Sequence, residues 1–251
     1  MYRERLRSTL PRVRERIEAA ARKAGRDPAS VRIVAVTKGH GYEAVEAALA
    51  AGLQDLGENR VEELEEKAGR TLPGRARWHM IGHLQRRKAP RVRGVAHLVH
   101  SVDSLRLAER LDDAERLGLA ERMDVGSGQA GQGGQNAALP LPILLQVNTA
   151  GEESKSGFAP GELAEALGAV LRLTTLRVEG LMTMAPLTND EAVLRATFRG
   201  LRELRDEARG RLPTFAGTEL SMGMSNDFEI AVEEGSTIVR LGTVLLGELP
   251  E

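Results

Sequence analysis

Val31-Arg32-Ile33-Val34-Ala35-Val36-Thr37-Lys38 is a short apolar run that ends on a lysine and leads into helix-like sequence. Side chains alternate faces along a strand, so Val34, Val36 and Lys38 are expected to share one face, with the ammonium at the strand's carboxyl end. In a barrel lined by that face, the lysine points into the mouth where such folds place their chemistry. A lysine desolvated there is a nucleophile that forms Schiff bases with aldehydes. The plainer alternative is a lysine that extends its ammonium from a strand end into water.

Outward from this run the pattern repeats. Further strand-like runs lie at 53–57, 77–82, 98–102, 143–148, 178–183, 219–222 and 237–241. Amphipathic stretches near 42–51, 59–69, 104–117, 160–172, 190–210 and 226–234 separate most of them. Strands alternating with helices predict a parallel sheet wrapped by helices. A closed (β/α)8 barrel and an open doubly wound sheet both fit. Eight runs in 251 residues favour the barrel, and no Gly-x-Gly-x-x-Gly follows the first strand to support a dinucleotide-binding sheet. Ahead of the first strand, Leu6, Leu10, Val13, Ile17, Ala20 and Ala24 recur at helical spacing. This extra amino-terminal helix is expected to cover the barrel's outside, to stop at Gly25, and to kink or split at Pro11. Thr188-Asn189-Asp190-Glu191 predicts a capping box before the long helix at 190–210. Few residues follow the last strand, so residues 1–251 are expected to form a single domain. The stretch 126–136, rich in Gly and Gln, is predicted to be a flexible insertion on the amino-terminal face.

Composition narrows the function. Hydrophobic residues make up 41 % and charged residues 28 %, with a formal net charge of -1. That balance gives no electrostatic case for nucleic acid or an anionic membrane. No apolar run approaches the ~18 residues of a membrane span, and Met1-Tyr2-Arg3-Glu4-Arg5 does not read as a signal peptide. Cysteine is absent, which excludes disulfides, thiolate catalysis and zinc–thiolate sites and makes a reducing cytoplasm the natural compartment. Aromatic residues are 3 % of the chain, so no large interface patch is expected and a monomer is predicted.

The polar residues gather at the carboxyl ends of the runs: Lys38, then Gly57-Glu58-Asn59-Arg60, His83, Asp103, Asn148 and Thr183. The last two runs are sharper. Ser221, Gly223 and Ser225 precede a helix, and Gly242 and Thr243 close the final strand. Barrels commonly hold phosphate with these two loops, small residues admitting backbone N–H groups and hydroxyls adding donors. Turn chemistry and a Ser225 helix cap account for part of the same pattern. Arg240 shares a face with Ile238 and Gly242, and an arginine inside a barrel needs an acceptor, either a carboxylate or a ligand. His79 and His83 do not form a metal pair, since four residues along a strand separate them by roughly 13 Å. Lys155, in Ser154-Lys155-Ser156-Gly157, is a rival lysine on the same face, less firmly held than a strand-end one.

With these residues in place, the chain resembles the pyridoxal 5'-phosphate (PLP) homeostasis proteins, the YggS/PROSC type. The resemblance is carried by Val34-Ala35-Val36-Thr37-Lys38, Gly57-Glu58-Asn59-Arg60-Val61, Trp78-His79-Met80-Ile81-Gly82-His83-Leu84-Gln85, Gln146-Val147-Asn148, Lys155-Ser156-Gly157, Gly180-Leu181-Met182, Leu220-Ser221-Met222-Gly223-Met224-Ser225 with Asp227, and Val239-Arg240-Leu241-Gly242-Thr243. It implies a single (β/α)8 TIM barrel like the amino-terminal domain of alanine racemase, with PLP bound as a Schiff base on Lys38. It also implies phosphate contacts from Ser221, Gly242 and Thr243, supported by Gly223 and Ser225, and Arg240 at the pyridine nitrogen. Asn59, His83, Asn148 and Met182 would line the pocket. The chain departs from the family in Gly39-His40-Gly41 after the lysine, in Arg60 for a common Tyr, in Leu245-Leu246-Gly247, and in the Gly/Gln insertion.

An arginine at the ring nitrogen makes PLP a weaker electron sink than a carboxylate would. Racemisation needs an acid/base on each face of the substrate, and the only tyrosines are Tyr2 and Tyr42. The expectation is therefore a carrier or regulator of PLP, with little turnover and with PLP-dependent apo-enzymes as recipients. The rivals are a racemase-type enzyme and a lysine-dependent aldolase without PLP.

Overall fold

Eight parallel strands close into a barrel in chain order in the computed structural model, which describes residues 1–125, 140–152 and 156–249. The strands are β1 (Arg32–Val36), β2 (Asp55–Glu58), β3 (Arg77–Met80), β4 (Leu98–Val102), β5 (Leu141–Gln146), β6 (Leu176–Met182), β7 (Glu219–Ser221) and β8 (Ile238–Leu241). Pairing of β1 with β8, from Arg32 opposite Ile238 to Ala35 opposite Leu241, closes the ring and removes the open-sheet alternative. The helices are α1 (Tyr2–Lys23), α2 (Tyr42–Ala50), α3 (Val61–Arg70), α4 (Leu105–Val125), α5 (Leu163–Val170), α6 (Glu191–Arg211), α7 (Phe228–Glu233) and α8 (Thr243–Leu246). Between β3 and β4 the chain makes only 3-10 turns, over Arg86–Val92, with Pro90 inside. The sequence carries no amphipathic stretch there, so no longer helix has a face to bury.

Two apolar compartments result. The larger lies between the outward faces of the strands and the helices, and includes Ala35, Leu56, Met80, Val99, Leu145 and Leu181. The smaller, Val34, Leu98, Leu144, Met182 and Ile238, comes from five different strands and plugs the barrel interior. Alternation along each strand supplies both at once.

α1 runs unbroken through Pro11. Pro11 is on its exposed face, while Leu6, Leu10, Val13, Ile17, Ala20 and Ala21 are buried on the other. The lost N–H therefore frees a carbonyl toward water, and the buried stripe holds the two halves in line. α1 packs on α2, α7 and α8. α8 is only four residues long, so α1 covers the wall that a full eighth helix would cover.

The predicted capping box is also corrected. Asp190 caps α6, accepting from Ala192 N at 2.9 Å and Val193 N at 3.3 Å, while Thr188 Oγ1 accepts from Asp190 N. Ser225 does not cap the following helix, which begins after Asp227. Residues 126–136 and Lys155 lie outside the described residues.

Candidate functional site

Arg240 lies on β8, on the inward face that it shares with Ile238. It is 4 % exposed. Its Nη1 donates to Ser221 Oγ at 2.7 Å and its Nη2 to the Thr183 carbonyl at 3.0 Å. Its own backbone N–H donates to the Gly223 carbonyl at 3.0 Å, which ties β8 to the turn after β7. The expected alternative of a carboxylate or a ligand is resolved in part: both side-chain acceptors are neutral, and among the described residues no carboxylate forms an ion pair with it. Burial pulls its guanidinium down to about 10, with the charge of Asp227 opposing that shift. A guanidinium offers five N–H groups, so two neutral acceptors leave it donor capacity for an anion or a lone pair.

The turns beside it are tightly built. Gly223 has φ +95°, and a Cβ there would stand 2.7 Å from the Ala231 Cβ and 3.0 Å from the Phe228 Cα. Only glycine lets β7 pass into α7 at this distance. Ser225 Oγ accepts from the Val244 N–H at 3.2 Å, joining the β7 loop to the first turn of α8. Gly242 sits at the cap position of α8, and Thr243, its first residue, is exposed. Ser225 thus meets the turn that Gly242 and Thr243 open, next to the Gly223 turn that the Arg240 backbone holds. Ser221 is in the same cluster but wholly buried on β7.

Lys38 lies two residues beyond the last residue of β1, in a turn, and is exposed. The expectation that the barrel wall desolvates it is not met: after β1 the Thr37 N–H makes a last bond to the Gly57 carbonyl at 3.1 Å, and the chain then turns. The turn itself is held from both sides. Thr37 Oγ1 donates to Glu58 Oε1 at 2.5 Å, and Lys67 Nζ donates to the Thr37 carbonyl and to Glu58 Oε1, each at 2.7 Å. On the far side, Glu63 Oε2 accepts from the Gly39 N–H at 2.7 Å and lies 3.5 Å from Lys67 Nζ. Among the described residues Glu58 Oε2 has no hydrogen-bond partner, and burial raises its carboxyl above the ordinary range. Sequence reasoning missed Glu58, Glu63 and Lys67 as a group. The visible signal was a lysine on the apolar stripe of α3, in line with Val61 and Leu64.

The remaining predicted residues lie on several elements, with Met182 opposite Ser221 in the β6–β7 register. Met182 plugs the barrel interior. Asn59 follows β2, and its backbone occupies the space a side chain at Gly82 would need. Asn148 Nδ2 donates to the Glu152 carbonyl at 2.8 Å, bracing the loop after β5. His83 is not in the mouth cluster: its side chain is 62 % exposed, bonds Asp103 at 3.1 Å, and lines a groove with Arg86 and Arg106.

His79 is elsewhere altogether, inside the barrel. Its Nε2 bonds Asp55 Oδ1 at 2.9 Å and its Nδ1 bonds His100 Nε2 at 2.8 Å. His100 Nδ1 in turn bonds Ser221 Oγ at 2.8 Å. Since β4 and β7 are not neighbours, this bond crosses the interior. At the amino-terminal end, Asp55 takes a bidentate pair from Arg77, at 2.7 and 2.6 Å, beside a cavity of about 400 Å³ lined also by Arg32. Those bonds, from Arg77 and His79, hold the Asp55 carboxyl well below the ordinary range against the effect of burial. Burial pushes both imidazoles down, His100 furthest. Sequence reasoning weighed His79 only as a metal ligand and passed over His100 and Asp55. Alternation on β2, β3 and β4 was the signal that all three face inward.

The model of the alanine racemase N-terminal domain family matches residues 9–250. A pyridoxal phosphate homeostasis protein of Pseudomonas aeruginosa is 40 % identical over 238 residues, 95 % of this chain and 93 % of that one. One from Aquifex aeolicus is 37 % identical over 239 residues, 95 % of this chain and 96 % of that one. Among solved structures, PipY of Synechococcus elongatus with PLP bound superposes with a TM-score of 0.75 at 34 % identity, covering 94 % of this chain and 100 % of PipY. Alanine racemase of Clostridium difficile, at 15 % identity and a TM-score of 0.70, shares the fold over 99 % of this chain and 57 % of its own.

Proposed function

The chain belongs to the alanine racemase N-terminal-domain family, among the pyridoxal phosphate homeostasis proteins, and from that premise we propose that it binds PLP in intracellular vitamin B6 homeostasis. In this reading residues 1–251 act as one unit, Lys38 holds PLP covalently as a Schiff base, and turnover is slight. The observation that carries it is Arg240, a buried cation whose side-chain partners among the described residues are neutral, tied by its backbone to the glycine turn after β7. The donor set fits the group. Ser225, Gly242 and Thr243 offer hydroxyl and backbone donors to a phosphate, and Arg240 offers an N–H to a pyridine lone pair. Bound PLP supplies an aldehyde for the lysine and an electron sink in its ring.

The protein's own groups favour holding over turnover. Arg240 is donor-only and cannot accept a proton from a ring nitrogen. The Tyr2 hydroxyl is bonded to His40 Nδ1 at 3.0 Å, and that of Tyr42 donates to the Arg70 carbonyl at 2.8 Å. Among the described residues neither tyrosine is left to act as a second acid/base. The exposed Lys38 suits a carrier that must release its cargo to PLP-dependent apo-enzymes, and we assign it this role as a cytoplasmic monomer.

The test is to load the protein with PLP, reduce with borohydride and map the modified lysine by mass spectrometry. Pyridoxyl on Lys38, absent from Lys38→Ala, is expected. Adducts spread over surface lysines would overturn the site, and rapid racemisation of one amino acid, lost in Lys38→Ala, would overturn the carrier reading in favour of an enzyme.

A further inference from the structure

The interior chain of hydrogen bonds has a direction. Its two ends fix it: Arg240 can only donate, and Asp55, ionised and already gripped by Arg77, can only accept. His79 Nε2 therefore carries the proton that meets Asp55. A neutral ring has one N–H, so His79 Nδ1 is a lone pair and accepts from His100 Nε2–H. His100 Nδ1 is then also a lone pair, and its partner must donate: the Ser221 hydroxyl proton points at His100. Ser221 Oγ keeps its lone pairs for Arg240. Both rings are neutral for a structural reason. His100 is enclosed between His79, Ser221 and the Arg240 cation, and His79 shares the Asp55 carboxylate with Arg77 and lies near Arg32 and His97.

We propose that Asp55, His79, His100 and Ser221 form a one-way hydrogen-bond relay through the barrel that orients Arg240, and that Ser221 is a positioning residue for Arg240 rather than a phosphate donor. The sequence pattern had grouped Ser221 with Ser225 as hydroxyl donors to phosphate. The geometry divides them. Ser221 has spent its one proton inside the barrel, whereas Ser225 accepts from Val244 N–H and keeps its own proton to give. The relay keeps each of its atoms satisfied only in this direction, so it holds the Arg240 fork against Ser221 and Thr183 with its other N–H groups directed by default to what enters the mouth. The relay stands on the protein alone; its consequence for a bound ring rests on the PLP reading.

Two measurements test this. First, imidazole 15N spectra of the cofactor-free protein are expected to show His79 and His100 as neutral rings protonated on Nε2. A proton on His100 Nδ1 would overturn the proposal, because Ser221 would then accept from both sides and keep its proton for the mouth. Second, binding of inorganic phosphate and of PLP is compared in wild type, Ser221→Ala and Ser221→Thr. Ser221→Ala is expected to leave phosphate affinity within twofold, to shift the absorption of bound PLP, and to be corrected by Ser221→Thr. A tenfold or greater loss of phosphate affinity in Ser221→Ala, with the PLP band unmoved, would overturn it. If wild type takes no PLP, the cofactor reading fails, and the ring spectra still decide the relay.

Discussion

Lys67 is a buried ammonium whose bonds reach residues on both sides of Lys38: it donates to the Thr37 carbonyl, and its neighbour Glu63 holds Gly39 N–H. With Glu58 the cluster holds two carboxylates and one cation. Removing one member of a buried pair strands the other charge, at a cost of about 3–5 kcal/mol. Lys67→Met is therefore expected to destabilise the protein by about that much in urea unfolding, with faster hydrogen exchange at Gly39. The double variant Lys67→Met, Glu58→Gln should recover part of the loss, since it also removes the stranded charge. Full stability in the single variant would show that the cluster does not hold the turn. At this scale the chain was half legible. Lys38 and Arg240 stand out from their places in apolar runs. The partners of Arg240 and Lys67 do not, because Ser221, Thr183 and Thr37 stand on or just after other strands, and only the folded sheet decides which of them each side chain meets.

The elements were more legible than their ends. The stripe of α1 is visible as apolar spacing, and it is the stripe that packs. Leu6 is 1 % exposed, so Leu6→Ala is expected to cost about 2–5 kcal/mol through transfer and cavity terms. A calorimetric or urea midpoint shift reads this directly; an unchanged midpoint would mean that α1 is not part of the cooperative barrel. The caps were harder. Thr188 and Asp190 are both good capping residues two positions apart, and sequence cannot say which one the chain's entry angle selects. Ser225 illustrates the same limit. It has cap chemistry, yet its oxygen serves α8 rather than α7. Ser225→Ala leaves the Val244 N–H without that acceptor, so it is expected to lose about 1 kcal/mol of stability. It should also weaken inorganic phosphate binding, which isothermal titration would show; unchanged binding would remove Ser225 from the phosphate cluster.

Across the whole molecule the polar interior makes stability depend on pH in a particular window. His79 and His100 are held neutral in the folded barrel, with Asp55, Arg77, Arg32 and His97 around the first and Arg240 and His79 around the second. Their pKa values are lowered on folding, so below the ordinary histidine value of about 6.5 the unfolded chain binds protons that the folded chain refuses. Stability contributed by this pair is therefore complete above that value and is lost as pH falls through it. Each ring contributes a slope of up to about 1.4 kcal/mol per pH unit. His40 and His97, also lowered by burial, act in the same direction. Asp55 adds a separate loss, since its depressed carboxyl stabilises the fold only until pH drops below the ordinary carboxylate range near 4. Urea unfolding at pH 8, 7, 6 and 5 is thus expected to give a plateau down to about 7 and a decline of more than ~1.4 kcal/mol per unit between 6 and 5. Ring spectra taken over the same range should show His79 and His100 still neutral while the barrel remains folded. A flat stability profile between pH 7 and 5, or protonation of either ring in the native state near 6, would mean that the interior admits water or a counter-charge, and the relay could not then keep a single direction.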